Sequence, residues 1–163
     1  MSKGFKSKVD VNSESFLKNR AEMLEKIKEM HNLEKRSFDA SESKRKKFED
    51  RNQLSPRERL KALIDPDSEF VELYNMAGFL VEDKNFETSI PGASVIAGIG
   101  FINGVRCMIM VDDSGINAGA ATSTTVDKCV GCLEISLEKK LPFVHLVESA
   151  GINLMNYKVE IWA

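Results

Sequence analysis

The sequence of 163 residues lacks any run of about 18 consecutive apolar residues, the length that a membrane-spanning helix requires. Its basic first residues, MSKGFKSKVD, are not followed by an apolar stretch, so we do not expect a secretory signal peptide. They carry lysine rather than the arginine that is typical of mitochondrial transit peptides. These absences predict no membrane partner, and they favour the cytoplasm over the mitochondrial matrix.

Cysteine is also scarce, because the sequence contains only Cys107, Cys129 and Cys132. An odd number of cysteines without a secretion signal is typical of a reducing compartment. The last two form a C-x-x-C motif, but no second pair of cysteines or histidines accompanies it, so a zinc site would lack ligands. A redox motif would open a helix after a strand, whereas this one falls inside an apolar helical pattern. We therefore expect buried, unreactive thiols and no metal site.

Charge is distributed unevenly along the chain. Residues 1–64 contain 17 Lys+Arg and 11 Asp+Glu, whereas residues 65–163 contain 6 and 14. A basic segment thus precedes an acidic one, which predicts two structural regions: a helical, basic N-terminal arm over 1–64 and a second domain over 65–163.

Helical signals dominate the arm. Residues 13–37 have apolar positions at three- and four-residue spacing, with Asn12 or Ser13 as the cap. Residues 41–51 are too polar to bury much surface, which favours a solvated helix or a linker. Ser55, Pro56 and Glu58 form a capping box that should begin a helix ending at Asp65-Pro66.

Strand signals follow. We predict strands over 70–74, 94–102 and 105–111, a helix over 123–140 and a strand over 143–147. Asn103-Gly104 is the preferred pair for a type I′ hairpin turn. The expected apolar face of the helix comprises Val126, Cys129, Val130, Leu133 and Leu137. A helix that joins two strands of one sheet implies a right-handed crossover and a parallel pair, so the fold class is α/β.

An ordered set of motifs resembles a known family. The set comprises PRERL at 56–60, LIDP at 63–66, FVEL at 70–73, PGA at 91–93, VDD at 111–113, Lys128, LEISLE at 133–138, LP at 141–142 and ESAGINL at 148–154. In this order they resemble the N-terminal portion of carboxyltransferase (beta) subunits of biotin-dependent acyl-CoA carboxylases, of the propionyl-, methylcrotonyl- and geranyl-CoA type.

The resemblance implies a crotonase-like fold, a spiral of ββα units, here truncated and preceded by the helical arm. It also implies a site in two halves, one for acyl-CoA and one for carboxybiotin, with carboxyl transferred to the α-carbon of the thioester. We expect homo-oligomers, acyl-CoA as substrate, and carboxybiotin supplied by a partner chain such as a biotin carrier or biotin carboxylase subunit. No cofactor is expected to be bound covalently to this chain.

The family match assigns two groups of site residues. Ala150 and Gly151 would present the backbone N–H groups of an oxyanion hole, although a tight turn after a strand is the structural alternative. Asn117, Ala118, Gly119 and Ala120 would form the loop that approaches CoA, and the helix after it could direct its N-terminal amides at an anion. Lys128 would also contact CoA, with a merely solvated lysine as the alternative. Many family members have Gly where Ala150 stands, Pro at Ser123 and a basic residue at Gly131.

Other candidates are weaker. His145 could act as a base, but a hydrogen-bonded core histidine is favoured. Asp112-Asp113 could bind a metal, but two carboxylates more often cap a loop. The basic run 44–47 could contact nucleic acid or CoA phosphates, yet acidic residues flank it and no aromatic residues accompany it, so we expect a solvated helix face and no nucleic-acid partner.

Two alternatives to the carboxylase reading stay open: a biotin-dependent decarboxylase subunit of the same superfamily, and a non-catalytic fragment that only binds CoA or a partner. We expect residues 1–163 alone to be inactive in carboxyl transfer, with the apolar side chains of 155–163 lacking a packing partner.

Overall fold

The computed structural model of the chain describes residues 6–151, which form a mixed α/β structure. The elements are α1 (Glu14–Glu42), α2 (Arg45–Glu49), α3 (Pro56–Leu63), β1 (Val71–Glu72), β2 (Val95–Ile102), β3 (Val105–Asp112), a 3-10 turn (Asn117–Gly119), α4 (Ser123–Lys139) and β4 (Phe143–Leu146). None of the described helices combines the length and apolar character that crossing a membrane requires. The predicted apolar tail at 155–163 lies outside the described residues.

The chain divides into two compact units, Met1–Asn32 and Leu33–Ala163. Within the first, the Ser13 hydroxyl accepts a hydrogen bond from the Phe16 amide (3.3 Å), as expected of a helix cap. Helix α1 continues past its predicted end at residue 37 to Glu42 in the second unit. Residues 33–64 belong to the same unit as the sheet, and the predicted domain boundary after residue 64 stays a prediction.

The expectation that residues 41–51 bury little is wrong at two positions. Ser41 and Phe48 are both buried, at 5% exposure each. The Ser41 hydroxyl donates to Asp113 Oδ1 (2.7 Å), so a short polar segment is fixed to the end of β3. Hydropathy alone could not show this, because the partner lies 72 residues away in the sequence.

The capping box is confirmed at the start of α3. The Ser55 hydroxyl accepts from the Glu58 amide, and Glu58 Oε2 accepts from the Ser55 amide (2.8 Å), with Pro56 in the first turn. This cap orients the helix so that Leu60 is buried against the sheet.

The four strands form one sheet in the order β1-β2-β3-β4. Strands β2 and β3 are the predicted antiparallel hairpin, and Asn103 (φ 49°) and Gly104 (φ 75°) have the positive φ angles of a type I′ turn. The Asp65 carboxylate accepts both turn amides, at 2.6 and 2.7 Å. Strand β1 is shorter than predicted because Tyr74 has a positive φ of 56°, which ends the extended backbone.

Strands β3 and β4 are parallel, from Met108 opposite Phe143 to Val111 opposite Leu146, and α4 connects them. The predicted parallel pair joined by a helix is therefore confirmed. Strand β3 is buried on both faces from Cys107 to Asp112, whereas β4 is only half-buried.

The side chains of β3 alternate between two apolar clusters, one on each face of the sheet. The first cluster joins Leu60, Ile96, Cys107, Ile109 and Val111. The second joins Val95, Ala97, Met108, Met110 and Cys132. The sheet is thus covered by α3 on one face and by α4 on the other.

The predicted apolar face of α4 is wrong. The structure buries Thr125, Lys128, Cys132 and Ser136, which recur at three- and four-residue spacing. Val130, Leu133 and Leu137 are instead exposed, at 48%, 46% and 82%. The buried polar groups are satisfied by backbone carbonyls, since Ser136 Oγ donates to Leu141 O (2.6 Å) and Lys128 Nζ donates to two others. These carbonyl partners, two of which lie more than 30 residues away in the sequence, decide which face of α4 is buried.

Lys128 is the largest of the fully buried side chains. Its ammonium donates to Val95 O (2.6 Å) and Gly92 O (3.2 Å), where β2 begins. The expected alternative of a solvated surface lysine is therefore wrong. Burial lowers the pKa of Lys128 to about 8, although the carboxylate of Glu72 partly opposes this shift.

All three cysteines are free thiols. Cys107 and Cys132 are buried as predicted, whereas Cys129 is half-buried. Burial raises the pKa of the Cys129 and Cys132 thiols, which disfavours the reactive thiolate.

Replacing Ser55 with alanine should lower the free energy of unfolding by about 1 kcal/mol, because the Glu58 amide loses its acceptor. Urea denaturation followed by circular dichroism measures the change. Ser43→Ala is the matched control, since the exposed Ser43 hydroxyl donates only to the nearby Ala40 carbonyl among the described residues. Equal losses in both variants would contradict the role of the cap.

Lys128 should give the chain a distinctive pH dependence. Between its folded pKa near 8 and its ordinary value of 10.5, the unfolded state binds more protons than the folded state, so stability rises with pH. From pH 8 to pH 10 the free energy of unfolding should increase by about 2 kcal/mol relative to Lys128→Met.

Urea denaturation at both pH values measures this difference. Lys139→Met, which removes an exposed charge from the same helix, should retain the wild-type pH dependence. A wild-type curve that runs parallel to that of Lys128→Met would show that the buried ammonium does not titrate in this range.

Candidate functional site

The loop after β3 has a backbone that suits small residues. Asn117 (φ 48°), Ala118 (φ 53°) and Gly119 (φ 67°) are three consecutive residues in the left-handed region. A Cβ at Gly119 would lie 2.5 Å from the Glu148 carbonyl oxygen, so glycine is required there by close approach as well as by φ. The loop therefore lies directly against the segment that follows β4.

Three hydrogen bonds join this loop to residues 149–151. The Ala150 amide donates to Ala118 O (3.0 Å), the Ala121 amide donates to Gly151 O (2.9 Å), and Ser149 Oγ donates to Gly119 O (2.6 Å). The structure thus brings together the two segments that the sequence predicted as CoA loop and oxyanion residues, although about 30 residues separate them.

The two predicted oxyanion amides are not equivalent. The Ala150 N–H is engaged by the Ala118 carbonyl within the backbone of the site. The Gly151 N–H donates to a side-chain hydroxyl, Ser149 Oγ (3.0 Å), which itself donates to Gly119 O. Gly151 is exposed, has a φ of 91°, and has open space where a Cβ would lie. Gly151 is consequently the better placed of the two to donate to a ligand.

Carboxylates anchor both segments to the ends of their strands. Asp112 accepts from His145 Nε2 (2.8 Å) and from the Glu148 amide (3.0 Å). Asp113 accepts from Ser41 Oγ and from the Gly115 amide (3.1 Å), and burial raises its pKa. Both aspartates therefore cap loops, as the favoured interpretation predicted. His145 is hydrogen-bonded and half-buried. Within residues 6–151 no group of three or more potential ligand side chains is placed to hold a metal ion.

A cavity of about 210 Å³ adjoins the paired segments. Ala118, Ser149 and Ala150 line it, together with Lys47, Phe48, Arg51, Ser114 and Glu148. The sequence pattern did not predict Lys47 or Arg51 as individual site residues. The basic run at 44–47 was the sole signal, and Arg51 lies outside it.

A second cavity, of about 230 Å³, includes Asn117 and the start of α4. Glu82 and Asp83 also line it, and hydrogen bonds from Thr88 and Asn85 hold the pKa of Asp83 below its usual range. A capping box between Thr122 and Thr125 occupies the Thr125 amide at the start of α4. The carboxylates of Glu82 and Asp83 would repel an anion at this helix start, and its role in anion binding stays a prediction.

The structure does not bring Lys128 to either cavity, because its ammonium is bonded to the carbonyls beneath α4. Ala120 lies within the paired loop, half-buried, and its amide donates to Asn117 O (3.0 Å). Asn117 and Ala118 are exposed, each beside a different cavity. The assignment of these residues to CoA stays a prediction.

Comparison with known proteins gives consistent matches. The carboxyl transferase domain family matches residues 47–160. A probable biotin-dependent acyl-coenzyme A carboxylase beta2 subunit of Mycobacterium tuberculosis is 40% identical over 66% of this chain and 19% of its own length. The mitochondrial methylcrotonoyl-CoA carboxylase beta chain of Dictyostelium discoideum is 35% identical over 90% of this chain and 24% of its own.

Solved structures agree. The beta subunit of P. aeruginosa geranyl-CoA carboxylase matches with a TM-score of 0.83 and 40% identity, over 93% of this chain and 28% of that one. Transcarboxylase 12S, solved as a hexamer with methylmalonyl-coenzyme A bound, matches with a TM-score of 0.67 over 89% of this chain and 27% of that one. Its sequence identity is 23%, so this likeness shows a shared fold alone.

The predicted crotonase-like α/β fold with a helical N-terminal region is confirmed by these neighbours. The chain spans about a quarter of the length of the proteins that it matches. The family match covers well over half of the chain and includes both segments of the candidate site. The chain belongs to the carboxyl transferase domain family.

Proposed function

We propose that this chain forms the acyl-CoA side of a carboxyltransferase site, where the α-proton of an acyl-CoA is exchanged for the carboxyl group that carboxybiotin supplies. The observation that carries the proposal is the pairing of Ala118–Ala121 with Ser149–Gly151 beside a cavity. Two segments of small residues there bring backbone amides and carbonyls to a surface where a thioester can approach closely.

The chemistry requires such a surface. Removing the α-proton of a thioester places negative charge on the thioester oxygen, and preorganised N–H donors stabilise that charge, each by roughly 2.7–4 kcal/mol. In this role the Gly151 amide is the first donor, because Gly151 is exposed and its amide is bonded to a side-chain hydroxyl rather than to a backbone carbonyl. The Ala150 amide contributes by holding the loop through Ala118, and it could donate only after that bond opens.

None of residues 6–151 is assigned to carboxybiotin. In this proposal a biotin carrier and a biotin carboxylase subunit deliver the carboxyl group, and subunits of the full protein assemble as homo-oligomers. The cytoplasmic location stays a prediction, and similar proteins of Dictyostelium discoideum and Arabidopsis thaliana are named as mitochondrial.

Binding of acyl-CoA by the 163-residue chain tests the proposal. Isothermal titration with propionyl-CoA and 3-methylcrotonyl-CoA should show saturable binding, because both site segments lie within the described chain. ATP, which shares the adenosine and phosphate groups but lacks the thioester arm, is the control. Absence of thioester binding, or equal affinity for ATP, would overturn the proposal.

Gly151→Ala should reduce the preference for a thioester over a matching thioether of CoA by about fivefold. A methyl group at φ 91° strains the backbone and displaces the amide that we assign to the thioester oxygen, and one hydrogen bond is worth about 1 kcal/mol. The measurement is the ratio of the two dissociation constants, since only the thioester offers a carbonyl oxygen.

Gly104→Ala is the matched control, because Gly104 also has a positive φ, 75°, and open space at the Cβ position, but lies in the β2–β3 turn. It should leave the thioester preference unchanged. If both glycine variants alter the ratio alike, the effect comes from general backbone strain rather than from a donor at Gly151.

A further inference from the structure

Two cations face the cavity beside the paired segments. Lys47 and Arg51 both line it, and both side chains are exposed. Neither side chain has an ion-pair or hydrogen-bond partner within the part of the chain that the structure describes. An uncompensated pair of positive charges beside a concave surface is suited to an anionic ligand.

The charge of the neighbouring Arg45, by contrast, is neutralised by ion pairs within the protein. Its guanidinium contacts three carboxylates, those of Glu42 (2.8 Å), Glu49 (3.1 Å) and Glu58 (2.7 Å). These carboxylates raise the pKa of Arg45 further and satisfy its charge within the protein. The basic run is therefore divided between a structural residue and residues that face the cavity.

The acidic residue of the cavity does not cancel the two cations. Glu148 is ion-paired with Arg59 Nη2, and the same nitrogen of Arg59 also donates to the Asp112 carbonyl (3.1 Å). Because Arg59 neutralises Glu148, the wall formed by Lys47 and Arg51 retains a net positive charge. The second cavity differs in sign, since Glu82 and Asp83 line it.

We propose that Lys47 and Arg51 bind phosphate groups of the CoA moiety. The inference rests on the proposed function and adds where the phosphorylated end of the ligand lies. Arginine matches phosphate oxygens with two parallel N–H donors, and lysine adds a mobile point charge. We do not place the phosphates in the second cavity, because the carboxylates of Glu82 and Asp83 would repel them. A CoA thioester would then lie with its phosphates at Lys47 and Arg51 and its acyl carbonyl toward the paired segments, of which Ala118, Ser149 and Ala150 line the same cavity.

Titration of the full 163-residue chain and its single variants tests the assignment. Lys47→Gln and Arg51→Gln should each weaken binding of CoA by about tenfold at low salt, since hydrogen bonds to charged groups contribute strongly. The loss should shrink as salt rises, because both groups are exposed. The matched controls Lys44→Gln and Lys46→Gln remove the same charge from neighbours that do not line the cavity, and they should change affinity less than twofold.

Two further probes separate the parts of the ligand. A pantetheine thioester lacks phosphates, so its affinity should be the same in all four variants and in the unaltered chain. Adenosine 3′,5′-bisphosphate carries phosphates without a thioester, and its affinity should fall in Lys47→Gln and Arg51→Gln alone. Inorganic phosphate at equal concentration should compete weakly with both phosphorylated ligands.

The outcomes distinguish the two proposals. Equal losses in the test and control variants would overturn the phosphate assignment and leave thioester binding intact. Thioester binding that fails, while the bisphosphate still depends on Lys47 and Arg51, would overturn the proposed function and retain the phosphate site. If neither CoA nor the bisphosphate binds, both are wrong.

Discussion

The carboxylate of Asp112 is placed where β3 ends, and the candidate site depends on its two bonds. One oxygen accepts from His145 in β4, and the other accepts from the Glu148 amide just beyond that strand. Parallel pairing already brings the carboxyl ends of β3 and β4 to one edge of the sheet, the edge at which open α/β sheets bind ligands. Asp112 fixes the direction in which the chain leaves β4, so that residues 149–151 meet the loop at 118–121.

Much of this fold could be predicted from local signals in the sequence. The capping box at Ser55 and the Asn103-Gly104 turn are each decided by a few adjacent residues, so their physics is visible in a short window. The crossover from β3 through α4 to β4 follows from the order of elements. The buried face of α4 could not be predicted in this way. Lys128 and Ser136 are stabilised there by hydrogen bonds to backbone carbonyls, which a hydropathy pattern does not include.

The candidate site was predictable to a lesser extent. The resemblance located both segments, and the structure places them in contact. It could not show that the Ala150 amide is bonded to Ala118, because that bond depends on how two loops meet. Nor could a run of basic residues reveal that the charge of Arg45 is compensated while that of Lys47 is not. The difference arises from carboxylates that belong to three different helices, α1, α2 and α3.

Electrostatics and backbone geometry act together at this edge of the sheet. The cavities beside Asn117 and Ala118 are similar in volume, but one carries carboxylates and the other carries uncompensated cations. A ligand with a phosphorylated end is therefore attracted to one of them and repelled by the other, before any specific contact forms. In the proposed binding mode, exposed side chains attract the phosphates, and salt screens this attraction. The thioester carbonyl would instead meet the Gly151 amide, whose direction the backbone fixes. The side chains can thus orient the ligand, and the backbone can act on the charge that develops during the reaction.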